Sequence, residues 1–326
     1  MNLYHYSNSN SIESILTSKK MRATASTQSN DTLDTVYLAT LLEEGLIRWM
    51  RNNPCIDNEK AKELMVNMLK DIFNEACDER VKLFSTKAKN DKCFVLCFTE
   101  KRDSRFLWAT YTKNEGGCFV IDKNEFETYL KSIQRRNFLY YKFDKVIYDK
   151  EKQYSKIKNI LIDNWDKHYK DTEKLIDKTT VIAPTIQFVD DDSNVISEHE
   201  MSPMAFTPRV WYLNFLRNVV DDFLEIAPFI KHKYWEEEKE WRLVFYRPYY
   251  DERLEKLGFY TFPQVENNQD KSWKRPGSYY IEFYFAPTLI KEFIMAPRSN
   301  VNIETVKNYI VGDKVLQSTG QGVLRY

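Results

Sequence analysis

The sequence predicts an α+β protein. Short segments alternate between hydrophobic and polar residues, as strands do, and longer segments place hydrophobic residues three and four apart, as helices do. These patterns intermix without the regular strand-helix alternation of a doubly wound fold, which favours α+β over α/β. The 326 residues are 43% hydrophobic and 15% aromatic, which is ample for a substantial core, and we interpret residues 1–326 as a single domain.

The first half of the chain is expected to contain both kinds of element. Its clearest helix runs from Glu59 to Lys87, where hydrophobic residues repeat at helical spacing. Asp122 and Glu125 are typical of a capping pair, which predicts a helix over Phe126–Ile133. The other predicted elements are the strands Leu3–Tyr6, Lys19–Thr24, Cys93–Thr99 and Gly117–Ile121, and the short helices Ile12–Leu16 and Leu41–Met50.

The second half is expected to be helical in its first part and to end in strands. The predicted elements are a strand within Asn137–Tyr148, helices over Glu151–Thr180 and Trp211–Leu224, strands over Tyr279–Ala286 and Leu289–Met295, and a last helix ending at Tyr309. Pro287 separates the last two strands, which suits a hairpin or a strand edge. Ser299 or Asn300 is expected to cap the last helix.

The most unusual stretch is the acidic run that leads into a strand at Trp235–Tyr246. In extended backbone Glu236, Glu238 and Glu240 point the same way, and Arg242 continues the row. The opposite face, Trp241, Leu243 and Phe245, is hydrophobic. A charged strand face of this kind is either part of an active site or exposed to solvent, with Glu240 and Arg242 as a surface ion pair.

Composition excludes several classes of protein. Lysine plus arginine and aspartate plus glutamate both total 48, so no overall charge indicates nucleic-acid or membrane binding. The N-terminus lacks the features of a signal peptide, and no apolar run is long enough to span a bilayer, so we expect a cytoplasmic protein that binds no membrane. The five cysteines and four histidines lack the spacing of a metal site. Common nucleotide-phosphate and hydrolase motifs are absent.

Three clusters on predicted strands and loops carry side chains that are suited to chemistry. They are Tyr4-His5-Tyr6, Trp108 with Tyr111, and Glu238 and Glu240 with Arg242. Each also has a structural interpretation: the histidine as a satisfied strand residue, Trp108 and Tyr111 as packed neighbours, and Glu240 with Arg242 as an ion pair.

The order and spacing of these segments resemble the bacterial domain of unknown function 2971. The resemblance rests on these segments: Leu3-Tyr-His-Tyr6, Met21-Arg-Ala-Thr24, Asn30-Asp31, Phe98–Asp103, Leu107-Trp-x-x-Tyr111, the Gly117 strand, Phe143–Tyr148, Lys231-His-x-x-Trp-x-x-Glu-x-Glu-x-Arg242 and Ile290–Pro297. That family is in turn similar to the ADP-ribosyltransferase superfamily. The second resemblance implies a split, mostly antiparallel sheet with large helical insertions, expected here at about 41–87 and 151–230.

The superfamily resemblance also implies roles for individual residues. Glu240 is the expected catalytic carboxylate, with Glu238 as the base that receives the proton of the acceptor. Tyr111 or Trp108 is expected to stack on the nicotinamide ring of NAD, and Tyr111 is counted with the two carboxylates among the catalytic residues. His5 is expected to hydrogen-bond the adenosine ribose of NAD and Arg22 to meet its pyrophosphate, and Tyr6 is a further expected NAD-binding residue.

The same resemblance implies partners and a biological setting. NAD is the expected substrate, and the acceptor is expected to be a macromolecule, with RNA or DNA slightly favoured over protein. The expected setting is a toxin or an antiviral-defence effector, with an antitoxin or defence-complex protein as a further partner. Two other functions stay open: a non-catalytic module that binds a nucleotide or a partner, and a structural subunit of such a complex.

Overall fold

The computed structural model describes residues 1–25, 33–52, 59–84, 93–137, 140–176, 185–189, 195–200, 208–246, 280–310 and 314–318. These residues belong to two compact units. One unit comprises Met1–Thr35, Asp78–Lys150 and Pro228–Tyr326, and the other comprises Val36–Cys77 and Glu151–Ala227. Among the helices that the structure describes, none has an apolar stretch long enough to cross a lipid bilayer.

Strands and helices intermix along the chain, as the α+β prediction requires. The strands are β1 Asn2–Ser7, β2 Lys20–Ala25, β3 Cys93–Thr99, β4 Gly117–Asp122, β5 Tyr140–Lys145, β6 Thr185–Val189, β7 Val195–Glu200, β8 Glu240–Tyr246, β9 Tyr280–Tyr284, β10 Ile290–Met295 and β11 Val315–Gln317. The α-helices are α1 Ser9–Ser18, α2 Leu33–Arg51, α3 Glu59–Phe84, α4 Arg105–Leu107, α5 Lys123–Asn137, α6 Lys150–Ile176, α7 Pro208–Ile226 and α8 Ile303–Tyr309.

Nine of these strands form one sheet, and it is mostly antiparallel. Its order is β11-β10-β4-β1-β3-β2-β9, and β8 and β5 extend it from β3. In the described part of the sheet only β10 and β11 run parallel. The last two predicted strands do not form a hairpin, because β9 pairs with β2 whereas β10 pairs with β4.

The sheet branches at β3. One edge of β3 pairs with β8 along its whole length, from Cys93 to Thr99. The other edge is shared, because β2 pairs with it at Phe94 and Val95, and β1 pairs with it at Thr99. Strands β1 and β2 therefore diverge beside Cys97, and the side chain of His5 bonds the Cys97 carbonyl oxygen (2.8 Å).

The two faces of this sheet are covered differently. Helices α1, α5 and α8 pack on one face, where Leu3, Phe98 and Phe119 belong to the largest hydrophobic cluster. Because side chains alternate along a strand, Tyr4 and Tyr6 of β1 lie on the opposite face, in a second cluster with Trp108. The same alternation puts Glu240 and Arg242 of β8 on this second face.

The other unit is mainly helical. In this unit the Trp165 ring packs edge to face against Trp49 (centroids 5.2 Å apart) and against Phe215 (centroids 5.5 Å apart). Strands β6 and β7 form a separate antiparallel pair. The stretches that were expected to be helical insertions, residues 41–87 and 151–230, overlap this unit.

The turn before β4 depends on the absence of a side chain at Gly116. A Cβ atom there would collide with the backbone carbonyl oxygen of Ser7, the last residue of β1. Because the colliding atom belongs to the backbone of a paired strand, it has little freedom to move aside.

We therefore expect Gly116→Ala to lower the free energy of unfolding by about 1–3 kcal/mol, the usual cost of overpacking. Urea unfolding followed by tryptophan fluorescence measures this change. Asn114→Gly in the same turn is the matched control, because Asn114 has a left-handed backbone (φ 65°) that glycine adopts without strain. Equal stability of Gly116→Ala and the parent protein would contradict this description of the turn.

Candidate active site

The acidic run folds into a short helix and a turn, not into the extended row that we predicted. Residues Lys233–Glu238 form a 3-10 helix, and the His232 ring caps it by accepting a hydrogen bond from the Tyr234 N–H. Lys239 then adopts a left-handed conformation (φ 45°) and turns the chain into β8 at Glu240. Glu238 and Glu240 are thus neighbours across this turn, and Glu236 pairs elsewhere, with Lys239 (3.4 Å).

Two buried cations hold the two carboxylates. Lys231 Nζ lies 2.7 Å from Glu238 Oε2 and 3.6 Å from Glu240 Oε2. Arg242 grips Glu240 with two hydrogen bonds, from Nε to Oε1 and from Nη2 to Oε2, both 3.0 Å. The Glu238 and Glu240 side chains are only 4% and 6% exposed. We call these four residues the carboxylate cluster.

The cluster fixes the charges of its members. Burial by itself would raise the pKa of Glu240, but the positive charges of Arg242 and Lys231 lower it below its ordinary value. Burial would lower the pKa of Lys231, but the negative charges of Glu240 and Glu238 raise it. An arginine stays protonated at any ordinary pH. Glu240, Lys231 and Arg242 are therefore all charged at neutral pH.

Tyr111 and Cys97 lie on the solvent side of the cluster. The Tyr111 hydroxyl donates a hydrogen bond to Glu238 Oε1 (2.8 Å), and burial together with the nearby negative charge of Glu240 raises the pKa of the Cys97 thiol. Tyr111 is 44% exposed, and Cys97 is also exposed. Yet burial raises the pKa of both groups, because protein atoms surround them closely. We call the exposed surface that Tyr111 and Cys97 form beside the carboxylate cluster the recess.

A π-helical turn presents Tyr111 to the recess. Residues Trp108–Thr112 form this turn directly after α4, and Thr112 Oγ1 closes it by donating to the Trp108 carbonyl oxygen (2.7 Å). The Trp108 indole N–H donates to Asp103 Oδ1 (2.8 Å), which anchors the turn from below. Such turns are frequent at functional sites because they change the direction of one side chain.

Trp108 and Tyr6 lie beneath this turn and not in the recess. Trp108 is fully buried, and its ring packs edge-on against Tyr6 with centroids 4.5 Å apart. The Tyr6 hydroxyl donates to the Lys101 carbonyl oxygen and accepts from the Ser104 N–H, both at 3.0 Å. Neither ring presents a face to a ligand, so both residues support Tyr111 from inside.

His5 touches the recess only through Cys97. Its Nδ1 lies 2.8 Å from the Cys97 carbonyl oxygen, which can only accept, so Nδ1 carries the proton. Its Nε2 then accepts from Ser7 Oγ (2.9 Å). Burial lowers the pKa of His5, which keeps the ring neutral. Both ring nitrogens are occupied within the protein, so His5 fixes the backbone where β1 and β2 diverge.

Arg22 is held at another part of the sheet. Its Nε lies 2.9 Å from Glu282 Oε1 on β9, and the same carboxylate accepts from Lys20 (3.4 Å). The structure thus brings together Glu238, Glu240 and Tyr111 among the predicted residues, and it places Arg22 on the β2–β9 pair.

Several residues of the site were not predicted to be functional. Lys231 and Cys97 complete the cluster and the recess, and the Tyr148 hydroxyl accepts a hydrogen bond from the Glu240 N–H (3.1 Å). Lys231 and Tyr148 do occur in the segments that carry the family resemblance, which was the one available signal. Among the described residues no group of three or more histidine, cysteine, aspartate or glutamate side chains could hold a metal ion.

Comparison with known proteins gives a family match and no function. Residues 107–243 match the family described as protein of unknown function (DUF2971), and this stretch includes Tyr111 and the whole carboxylate cluster. The match supports the resemblance to that family. No curated protein and no solved structure matches the chain.

Arg242 is expected to be essential to the stability of this unit. Arg242→Ala leaves Glu240 buried with Lys231 as its nearest remaining cation, and breaking a buried pair in this way costs about 3–5 kcal/mol. Guanidinium unfolding measures the loss. The control is Arg298→Ala, an exposed arginine, which should change stability by less than about 0.5 kcal/mol.

A double variant separates charge from packing. Adding Glu240→Gln to Arg242→Met removes both charges, so it should recover part of the stability that either change loses alone. If Arg242→Ala cost no more than Arg298→Ala, the cluster would not be a buried ion network.

Proposed function

We propose that this protein is an ADP-ribosyltransferase that moves ADP-ribose from NAD to a macromolecular acceptor. The observation that carries the proposal is the convergence of two buried carboxylates beneath the exposed Tyr111 ring, beside the point where β1 and β2 diverge. The mostly antiparallel sheet and the acidic residues at the start of β8 are consistent with what the superfamily resemblance implies. A role as a toxin or antiviral-defence effector in the cytoplasm, with an antitoxin or defence-complex partner, belongs to the same proposal and rests on the resemblance alone.

The chemistry requires a fixed negative charge. When the bond between the ribose C1′ and the nicotinamide nitrogen breaks, its electron pair leaves with nicotinamide and positive charge develops on the ribose. A carboxylate that is already ionised and oriented stabilises that charge without reorganising. Glu240 has these properties, because Arg242 and Lys231 lower its pKa and hold both of its oxygens.

Tyr111 fits the nicotinamide ring. It is an exposed aromatic ring at the mouth of the recess, and an aromatic face attracts a charged pyridinium. Trp108, Tyr6 and His5 do not offer free groups to NAD, so in this proposal they position Tyr111 and Cys97. Arg22 could meet the pyrophosphate only by leaving Glu282, so the proposal assigns it no contact with NAD.

Glu238 is suited to receive the proton of the acceptor. Its Oε2 is held by Lys231, but its Oε1 accepts from the hydroxyl of the partly exposed Tyr111. An acceptor group that enters the recess would replace this hydroxyl as the donor to Oε1. The acceptor then forms its bond to C1′ and transfers its proton to Glu238.

One observation favours a second function, a non-catalytic module that binds a nucleotide or a partner. Both oxygens of Glu240 are taken up by Arg242 and Lys231, which is also how a purely structural ion pair is arranged. In such a module the recess binds NAD or a related nucleotide without breaking it.

Nicotinamide release from NAD by the purified protein, with and without cellular RNA, DNA and protein fractions, tests the proposal. We expect Glu240→Gln to slow release by about 100-fold or more, because it removes the charge that stabilises the ribose cation. Glu238→Gln should impair transfer to the acceptor more than hydrolysis, because only transfer needs the base.

Glu304→Gln is the matched control. Glu304 also pairs with a lysine, Lys307 (3.4 Å), but it is exposed on α8, which packs on the other face of the sheet, so its replacement should leave activity unchanged. Thermal unfolding of all variants identifies any that are inactive because they misfold. Bound NAD with no release under any condition would reject the enzyme and favour the binding module.

A further inference from the structure

Two exposed tyrosine rings are linked to the carboxylate cluster. Tyr111 bonds Glu238 directly, and Tyr234, which is 79% exposed, is linked to Lys231 through the Trp235 ring. Tyr234 stands edge-on to the Trp235 ring (centroids 5.2 Å apart), and that ring in turn lies 5.0 Å from Lys231 Nζ. A tyrosine this exposed buries almost none of its ring within the protein, which leaves the ring face available to a ligand.

Backbone and side-chain contacts hold three segments together around these rings. Lys101 pairs with Glu237 (3.2 Å), and Tyr111 bonds Glu238, so residues 101–112 lie along residues 233–238. On the far side of the π turn, the Arg298 N–H donates to the Asn114 carbonyl oxygen (2.9 Å). We call the exposed surface of residues 101–115, 233–239 and 292–298 the rim.

The rim has more unpaired positive than negative charge. Its acidic side chains are largely neutralised by neighbours: Glu236 by Lys239, Glu237 by Lys101 and Glu292 by Arg102. Within the described residues, four exposed cations of the rim form no ion pair: Arg105, Lys113, Lys233 and Arg298. Glu115 is the one exposed acidic residue of the described rim that forms no ion pair. Asp103, which is partly buried, is used by Trp108 and Ser318.

We propose that the rim binds a single-stranded nucleic acid, with an unpaired base stacked on Tyr234 and phosphates met by Arg105, Lys113, Lys233 and Arg298. Stacking on exposed aromatic rings together with unpaired cations is how proteins hold single strands without reading their sequence. The role of this strand as the acceptor of ADP-ribose rests on the proposed function, whereas the binding of the strand to the rim does not depend on it.

The burial of the carboxylates favours a single strand over a duplex. Glu238 and Glu240 lie beneath Tyr111 and Cys97, so a reactive group must enter the recess to reach them. A base in a duplex is stacked on both faces and costs energy to extrude, whereas an unpaired base is free to enter.

The binding test uses a fluorescein-labelled 12-nucleotide single strand and fluorescence anisotropy with the full chain, in the absence of NAD. Tyr234→Ala should weaken binding roughly 5- to 100-fold, the usual effect of removing one stacking ring. Tyr140→Ala is the matched control: Tyr140 is also exposed (45%) but lies opposite Tyr246 at the other end of β8. That position is about 20 Å from Glu240 at the usual strand rise.

Two altered strands separate stacking from charge. An abasic strand of equal length keeps the phosphates, so it should bind more weakly and should no longer respond to Tyr234→Ala. A duplex of the same sequence should bind more weakly than the single strand. Comparison of the RNA and DNA versions identifies which of them binds more tightly.

The cations are tested through salt dependence. Each of Lys233→Gln and Arg105→Gln should reduce the slope of log K against log salt by about 0.7, the value for one contact with a single strand. Lys158→Gln, an exposed lysine in the other unit, should not change the slope.

The proposal is overturned if the single strand does not bind at low salt, if Tyr234→Ala and Tyr140→Ala bind it equally well, or if the duplex binds as tightly. These results do not depend on catalysis. If the strand binds as expected but nicotinamide is never released, the proposed function fails and the binding surface stands. If nucleic-acid-free protein stimulates nicotinamide release and the strand does not, the result supports the proposed enzyme but contradicts a nucleic-acid acceptor.

Discussion

The buried ion network of Lys231 and Arg242 with Glu238 and Glu240 is the interaction on which the site depends. Removing four charged groups from water is costly, and the cost is recovered only when each charge meets an opposite charge with good geometry. Here the two carboxylates share Lys231, and Arg242 grips Glu240 with two hydrogen bonds. The network sets the direction of both acidic side chains and keeps Glu240 ionised inside the protein.

The divergence of β1 and β2 leaves the Cys97 backbone, next to this network, without a paired strand on one edge. If either strand paired with β3 along its full length, it would cover the Cys97 backbone. The structure instead satisfies the Cys97 carbonyl oxygen with the His5 ring, so the gap does not leave an unpaired polar group. Cys97 and Tyr111 remain exposed there, directly above the two carboxylates. The same arrangement explains why His5 is bonded at both nitrogens and serves the site through the backbone.

Alternating patterns predicted the strands well, and the site only in part. β3 has the predicted bounds, β4 extends one residue further, and Trp241, Leu243 and Phe245 face the hydrophobic core as expected. The acidic run was misjudged because period-two spacing assumes extended backbone, whereas residues Lys233–Glu238 coil and Lys239 turns the chain. Local spacing also does not predict long-range pairs such as Tyr111 with Glu238, which are 127 residues apart in the sequence.

Lys231 and Trp108 show the limits of residue type as a guide to position. A lysine is usually exposed, so nothing local marked Lys231 as a buried partner of two carboxylates. Trp108 lies in the same π-helical turn as the exposed Tyr111 and yet is fully buried, because the turn directs its side chain inward. Which of two nearby aromatic residues faces solvent depends on this turn, and hydrophobic periodicity does not reveal it.

The central claim is that the recess binds NAD, and protection of the Cys97 thiol tests it most directly. In a Cys55→Ser, Cys77→Ser variant, Cys97 is the exposed cysteine and Cys93 and Cys118 are buried. N-ethylmaleimide should therefore label Cys97 first, and because only the thiolate reacts and the pKa of this thiol is raised, the rate should keep rising above the pH at which labelling of an ordinary thiol levels off. We expect saturating NAD to slow this labelling about 10-fold or more, following the fraction of protein bound. Labelling of Cys97 at an unchanged rate in millimolar NAD would contradict the account.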